Sequence, residues 1–264
     1  ILSFENNTTA VSNYFDINDT YDDVYIDGQW NYFYQIEGVL GTQFDDTLRI
    51  DRVNTSSNGD DYDAIFGGYL DGNAGNDALY GRNSSFDGND TLLGNLGNDT
   101  IYGSDEANVV VGGAGNDVIT ANGGADTIDG GAGSDTFIGG LGADEIDGGA
   151  GIDQIDYSAT TNALTVDLAN NTASGDDIDS DTLTNIENVS GGQAADSITG
   201  DDNANELRGN AGSDTLTGGA GNDTLIGGQG TDVLRGGEGL DTASFADVTG
   251  PITIDLSLGT VVTS

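Results

Sequence analysis

A nine-residue register, held without a gap over residues 94–156, constrains this chain more than any other feature. The blocks read GNLGNDTIY, GSDEANVVV, GGAGNDVIT, ANGGADTID, GGAGSDTFI, GGLGADEID and GGAGIDQID. Position six is Asp99, Asn108, Asp117, Asp126, Asp135, Asp144 and Asp153, and position eight is Ile101, Val110, Ile119, Ile128, Phe137, Ile146 and Ile155. An upstream block at 72–80 carries Asp77 and Leu79. A 13-residue variant at 81–93 carries Asp90 and Leu92, its four extra residues expected to bulge at a turn. The register returns over 200–244 with Asn205, Asp214, Asp223, Asp232 and Asp241 at position six, preceded by Asp196 in GGQAADSIT. Such self-similarity marks a solenoid, in which each repeat buries its apolar residue only against its neighbours.

The residue types supply the physics. Glycines at positions one, two and four permit positive φ, so the first six residues can form a tight turn. Carbonyls directed inward by that turn, with the carboxylate at position six, make an all-oxygen site suited to calcium. Positions seven to nine form a short strand whose position eight points inward and whose neighbours point outward. Each block is half a coil, so like positions stack every 18 residues. Calcium is expected between stacked turns, shared by pairs such as Asp99 with Asp117, Asp126 with Asp144, Asp214 with Asp232 and Asp223 with Asp241. Carboxylates stacked about 5 Å apart without a cation would repel strongly.

Composition agrees and also excludes. Asp plus Glu number 46 against 5 Lys plus Arg, a formal charge of −41 on 264 residues, with 44 glycines. Self-repulsion of that size resists compaction unless cations become part of the fold. The chain has no histidine, cysteine or lysine. That removes the usual zinc sites, Ser-His-Asp and Cys-His catalysis, Schiff-base lysines and P-loops. Five scattered arginines make nucleic acid an unsuitable partner. No apolar run reaches the about 18 residues that a membrane span needs. The opening Ile1-Leu2-Ser3, without Met or a basic region, is read as neither a natural start nor a signal peptide. No catalytic constellation is expected here.

The nonapeptide GGxGxDxUx resembles that of the RTX (repeats-in-toxin, haemolysin-type calcium-binding) family, for which a near form of this motif is a known signature. The resemblance implies right-handed parallel β-rolls, folding triggered by calcium and export from bacteria by type I secretion. The implied ligands are Asp77, Asp90, Asp99, Asn108, Asp117, Asp126, Asp135, Asp144, Asp153, Asp196, Asn205, Asp214, Asp223, Asp232 and Asp241, with Asp46 and Asp63 as weaker candidates. Asn108 and Asn205 depart from the motif, so their sites are expected to bind more weakly or to use backbone carbonyls. The expected load is about ten calcium ions.

Between the repeats, DQIDYSATTNALTVDL matches DTASFADVTGPITIDL, and IEGVLGTQFDDTL at 36–48 matches IENVSGGQAADSI at 186–198. These read as exits from, and lead-ins to, two rolls. The expected fold is all-β: two parallel β-rolls joined and capped by β-hairpins. The expected divisions are an aromatic-rich cap at 1–36, roll one at 37–157, a connecting hairpin at 158–190, roll two at 191–245 and the start of a further hairpin at 246–264. That unfinished last unit is read as part of a longer tandem array. Residues 50–71 fit the register poorly, although Asp63-Ala64-Ile65-Phe66 resembles a degenerate block.

Two surfaces stand out. Residues 14–34 hold Tyr14, Phe15, Tyr21, Tyr25, Trp30, Tyr32, Phe33 and Tyr34, read either as packing over the first roll or as a docking surface for sugar or protein. Outward positions Thr100, Tyr102, Val118, Thr120, Thr136 and Ile138 form a second ladder. The favoured function is a calcium-binding structural segment of an extracellular adhesin, surface-layer or filament protein that self-assembles. The alternative is a non-catalytic accessory or secretion module of a larger secreted enzyme or toxin.

Overall fold

In the computed structural model, residues 40–48, 68–81 and 89–246 are described in full. For 2–3, 15–16, 22–26, 29–33, 38–39 and 49–51 the backbone alone is described. The chain divides into two compact units, Ile1–Ile146 and Asp147–Ser264.

In the first unit, successive half-coils alternate between two parallel sheets. One runs Leu2–Ser3, Gly38–Leu40, Tyr69–Asp71, Thr91–Leu96, Val109–Ala114 and Thr127–Ala132. The other runs Thr47–Asp51, Ala78–Tyr80, Thr100–Tyr102, Val118–Gly123 and Thr136–Leu141. Phe15–Asp16 pairs in parallel with Thr47–Asp51, and Asp22–Ile26 with Gln29–Phe33 makes an antiparallel hairpin beside it. The register is the predicted one: Thr100 pairs with Val118, and Val118 with Thr136, each 18 residues on. Thr100 lies 22 residues past its partner Ala78, which is one coil plus the four extra residues of the long block.

The second unit repeats the plan. Gln154–Asp156, Asn188–Ser190, Glu206–Arg208, Thr224–Ile226 and Thr242–Ser244 form one parallel sheet. Leu164–Asp167, Ser197–Thr199, Thr215–Ala220 and Val233–Glu238 form the other. An antiparallel meander, Leu164–Asp167 with Thr172–Gly175 and Asp179–Thr184, joins the second of these sheets. Its Leu164, Val166, Ala173, Ile178 and Leu183 are buried, and the hydroxyl of buried Tyr157 donates to Asp181 at 2.8 Å.

The core of each roll is the column of position-eight side chains. Leu79, Leu92, Ile101, Val110, Ile119, Phe137, Ile198, Leu207 and Leu216 are fully buried. Each contributes about 1.5–3 kcal/mol by leaving water. Their fixed spacing is what makes a flexible, glycine-rich chain choose one register.

The three glycine positions serve two purposes. Position four has positive φ, as at Gly97 (+132°), where a Cβ would also collide with the Gly75 carbonyl. Position two is likewise left-handed, and there asparagine substitutes, as at Asn95 (+75°). Position one departs from the expectation of positive φ: Gly94 and Gly112 have ordinary backbone angles. Glycine is needed there for space.

Candidate metal centre

The position-six side chains stack in columns along the edges of each roll. In the first unit, the backbone N–H of Asp46 donates to Asp77 Oδ1 (2.6 Å), that of Asp77 to Asp99 (2.7 Å), that of Asp99 to Asp117 (2.7 Å) and that of Asp117 to Asp135 (2.8 Å). The opposite edge runs from Gly68 to Asp90 (2.6 Å), then from Asn108 to Asp126 (2.6 Å) and Asp126 to Asp144 (3.0 Å). In the second unit one column passes from Leu164 to Asp196, Asp214 and Asp232. The other passes through Asn205 to Asp223 and Asp241. All these aspartates and both asparagines are buried except Asp241, which is exposed.

Each carboxylate therefore spends Oδ1 on the preceding coil. Its Oδ2 faces into its own turn. At Asp77, Asp99, Asp117, Asp126, Asp214 and Asp223 that atom is buried and accepts no hydrogen bond. A buried anionic oxygen without a donor is costly, and native structures rarely leave one so. Burial pushes the Asp77, Asp117 and Asp126 carboxyls up to about 7, against the lowering effect of the N–H each accepts; their stacked aspartate neighbours raise them further. Asp214 is pushed up to about 6 for the same reasons. Burial likewise raises Asp99, Asp135, Asp196 and Asp223.

Position-one glycines explain what surrounds that oxygen. A Cβ on Gly94 would collide with Asp99 Oδ2 and with the carbonyl of Gly112, one coil on. The same holds at Gly112 for Asp117 and Gly130, at Gly209 for Asp214 and Gly227, and at Gly218 for Asp223 and Gly236. A carboxylate oxygen and a main-chain carbonyl oxygen thus face one small space that only a missing side chain leaves open. Among the described residues no three carboxylates converge. The oxygens that meet there are a carboxylate and a main-chain carbonyl, both of the hard kind that calcium accepts. Those oxygens fit a calcium ion and offer nothing to a soft metal.

Not every turn is alike. Asp46 Oδ2 accepts from the Thr42 N–H at 2.5 Å, Asp196 Oδ2 from Gly192 at 2.6 Å, and Asn205 Oδ1 from Asp201 at 2.9 Å. Asp63 lies outside the described residues. The position in register with Asp90 belongs to Gly68. One member of the columns is absent from the sequence reading: Glu187 Oε2 accepts the Asp153 N–H at 2.8 Å, standing where a coil would have its aspartate. The signal for it in the sequence is the register itself, since one nonapeptide back from Asp196 puts Glu187 at position six.

A family model supports the same register. Residues 69–85, 84–119, 120–155, 181–216 and 208–243 match the RTX calcium-binding nonapeptide repeat, together more than half of the chain. The chain belongs to the RTX calcium-binding repeat family. RTX repeats bind Ca²⁺ and build β-rolls that are structural rather than catalytic, and they are typical of secreted proteins. No curated protein matches the chain. Among the described residues, no helix is long and apolar enough to cross a membrane.

Of the two surfaces read from the sequence, the ladder is described. Tyr80 and Tyr102 stack at 5.1 Å with their rings 7° apart, and Tyr102 and Val118 are exposed. Phe15, Tyr25, Trp30, Tyr32 and Phe33 fall on strands described by backbone alone, and Tyr14, Tyr21 and Tyr34 lie outside the described residues.

Proposed function

We propose that this RTX segment is a calcium-rigidified structural element of an extracellular adhesin, surface-layer or filament protein. The position-six aspartates from Asp77 to Asp232, with Asn205, would hold the ions. The observation that supports this is the division of labour within aspartates such as Asp117: Oδ1 joins two coils, and Oδ2 faces a main-chain carbonyl in its own turn. A side chain committed to both tasks makes the ion part of the coil-to-coil joint. About ten ions would offset roughly twenty of the negative charges. Binding free energy then becomes folding free energy. Cytosolic calcium is too scarce for such sites, so the chain would leave a bacterium unfolded by type I secretion. It would then fold at the calcium levels of about 0.1–1 mM to which extracellular modules are tuned.

Far-UV circular dichroism during a calcium titration from a chelated start, with magnesium as control, tests the reading. A cooperative gain of β signal with calorimetry giving about ten ions is the expected result. A chain already folded in chelator and indifferent to calcium would overturn it. Sedimentation in millimolar calcium tests assembly: polymers support a filament or surface layer, while a folded monomer favours the accessory-module role in a larger secreted enzyme or toxin.

A further inference from the structure

Among the described residues, Asn108 is the one position-six residue whose side chain presents a donor to the interior of its own turn. Its Nδ2 donates to the carbonyls of Glu106 (2.5 Å) and Ser104 (3.3 Å) and to Asp126 Oδ1 across the coil (3.0 Å). Its Oδ1 accepts from the Ser104 hydroxyl at 2.9 Å. That network fixes the amide's orientation, because the reversed group would set an oxygen against two carbonyls and a carboxylate. A Cβ on Gly103, position one of the same block, would meet Nδ2 at 3.1 Å and the Ala121 carbonyl at 2.5 Å. Nδ2 therefore occupies the place that Oδ2 holds beside Gly94 and Gly112.

The amide does what an ion would do there. It carries partial positive charge, it is met by main-chain carbonyls, and it ties Asp126 to the preceding coil through a second bond beside the Asn108 N–H. Asn205 does not share this arrangement: its oxygen faces inward to the Asp201 N–H, and its Nδ2 reaches out to the Glu187 carbonyl at 2.8 Å. The feature thus belongs to the geometry of the 103–108 turn and not to asparagine as a residue type.

We infer that the 103–108 turn binds no calcium, and that the Asn108 amide takes the ion's place as a permanent, metal-free joint between the stacked half-coils 103–111 and 121–129. This rests on the reading that the aspartate turns do bind calcium, and it replaces the ligand role that spacing alone gave Asn108. The consequence is an asymmetry. The edge Asp46, Asp77, Asp99, Asp117, Asp135 is an unbroken run of carboxylates. The opposite edge is interrupted at Gly68 and at Asn108. Depletion of calcium would loosen the first edge throughout, while the second keeps one protein-only clasp.

Native mass spectrometry of the 264-residue chain at saturating calcium counts the ions. Asn108→Asp replaces the donor with a carboxylate oxygen and is expected to bind one ion more than the natural chain. Asn108→Ala is expected to bind the same number as the natural chain, with a higher calcium midpoint for folding. An ion lost in Asn108→Ala, or no ion gained in a folded Asn108→Asp, would overturn the inference. Should Asn108→Asp fail to fold, the alanine count decides alone. Absence of calcium binding by the natural chain would instead sink the reading on which the inference stands.

Discussion

The backbone N–H of Asp99 donates to Oδ1 of Asp117 at 2.7 Å, while Oδ2 of Asp117 is buried in its own turn with no donor. Eighteen residues separate the two, one full coil, so the bond is both a structural joint and the device that aims the second oxygen. Two substitutions separate these roles. Asp117→Asn keeps an acceptor for Asp99 and turns the inward atom into a donor, as at Asn108. It should lose one ion by calorimetry and still fold in saturating calcium. Asp117→Ala removes both oxygens, strands the buried Asp99 N–H at a cost of about 1–3 kcal/mol, and should need markedly more calcium to fold. An unchanged ion count in Asp117→Asn would mean that Oδ2 has no metal role, and equal calcium midpoints for the two variants would mean that the Oδ1 joint contributes nothing.

Acidity should act with opposite signs on the metal-free and the calcium-loaded chain. Without calcium, the carboxyls of Asp77, Asp117 and Asp126 sit at about 7 in the folded roll, above their ordinary 3.8 in the unfolded chain. The folded state then binds more protons, so its stabilisation is complete below pH ~4 and is lost as pH rises through ~7. Circular dichroism in chelator should show β signal growing as pH falls from 7 to 4. With calcium, protons compete for the same oxygens, and the calcium midpoint for folding should rise over that range. A midpoint independent of pH would argue against carboxylate ligands.

The two kinds of glycine should fail differently. Gly97→Ala places a Cβ at φ +132° and into the Gly75 backbone, so the coil should not form at any calcium concentration. Gly94→Ala meets no such backbone angle, and its methyl would press on Asp99 Oδ2 and the Gly112 carbonyl. That variant should fold in excess calcium with one weakened or missing site. Calcium titrations of both variants, read by circular dichroism and calorimetry, check the distinction.

Truncation of the core should be indifferent to the metal count. Ile119 is fully buried, and Ile119→Ala is expected to cost about 2–5 kcal/mol. In saturating calcium its thermal midpoint should fall while the number of bound ions stays that of the natural chain. A parallel loss of ions would show that the strand, and not the turn, sets the site.

The sequence by itself determined the coil. An aspartate or asparagine at position six and an apolar residue at position eight of each nonapeptide leave one way to bury the second while stacking the first, so register, parallel pairing and the interior column from Leu79 to Leu234 were all legible. It did not determine which oxygen each aspartate offers, because that depends on a hydrogen bond to a residue one coil away. Tertiary structure decided that Oδ1 is spent on the neighbouring backbone, that position-one glycines such as Gly94 exist for space, and that Glu187 fills an aspartate's place after the meander returns. It also separated Asn108 from Asn205, identical in type and in position within the repeat. The direction of an amide is set by the partners around it, and those partners come together only when the coils stack.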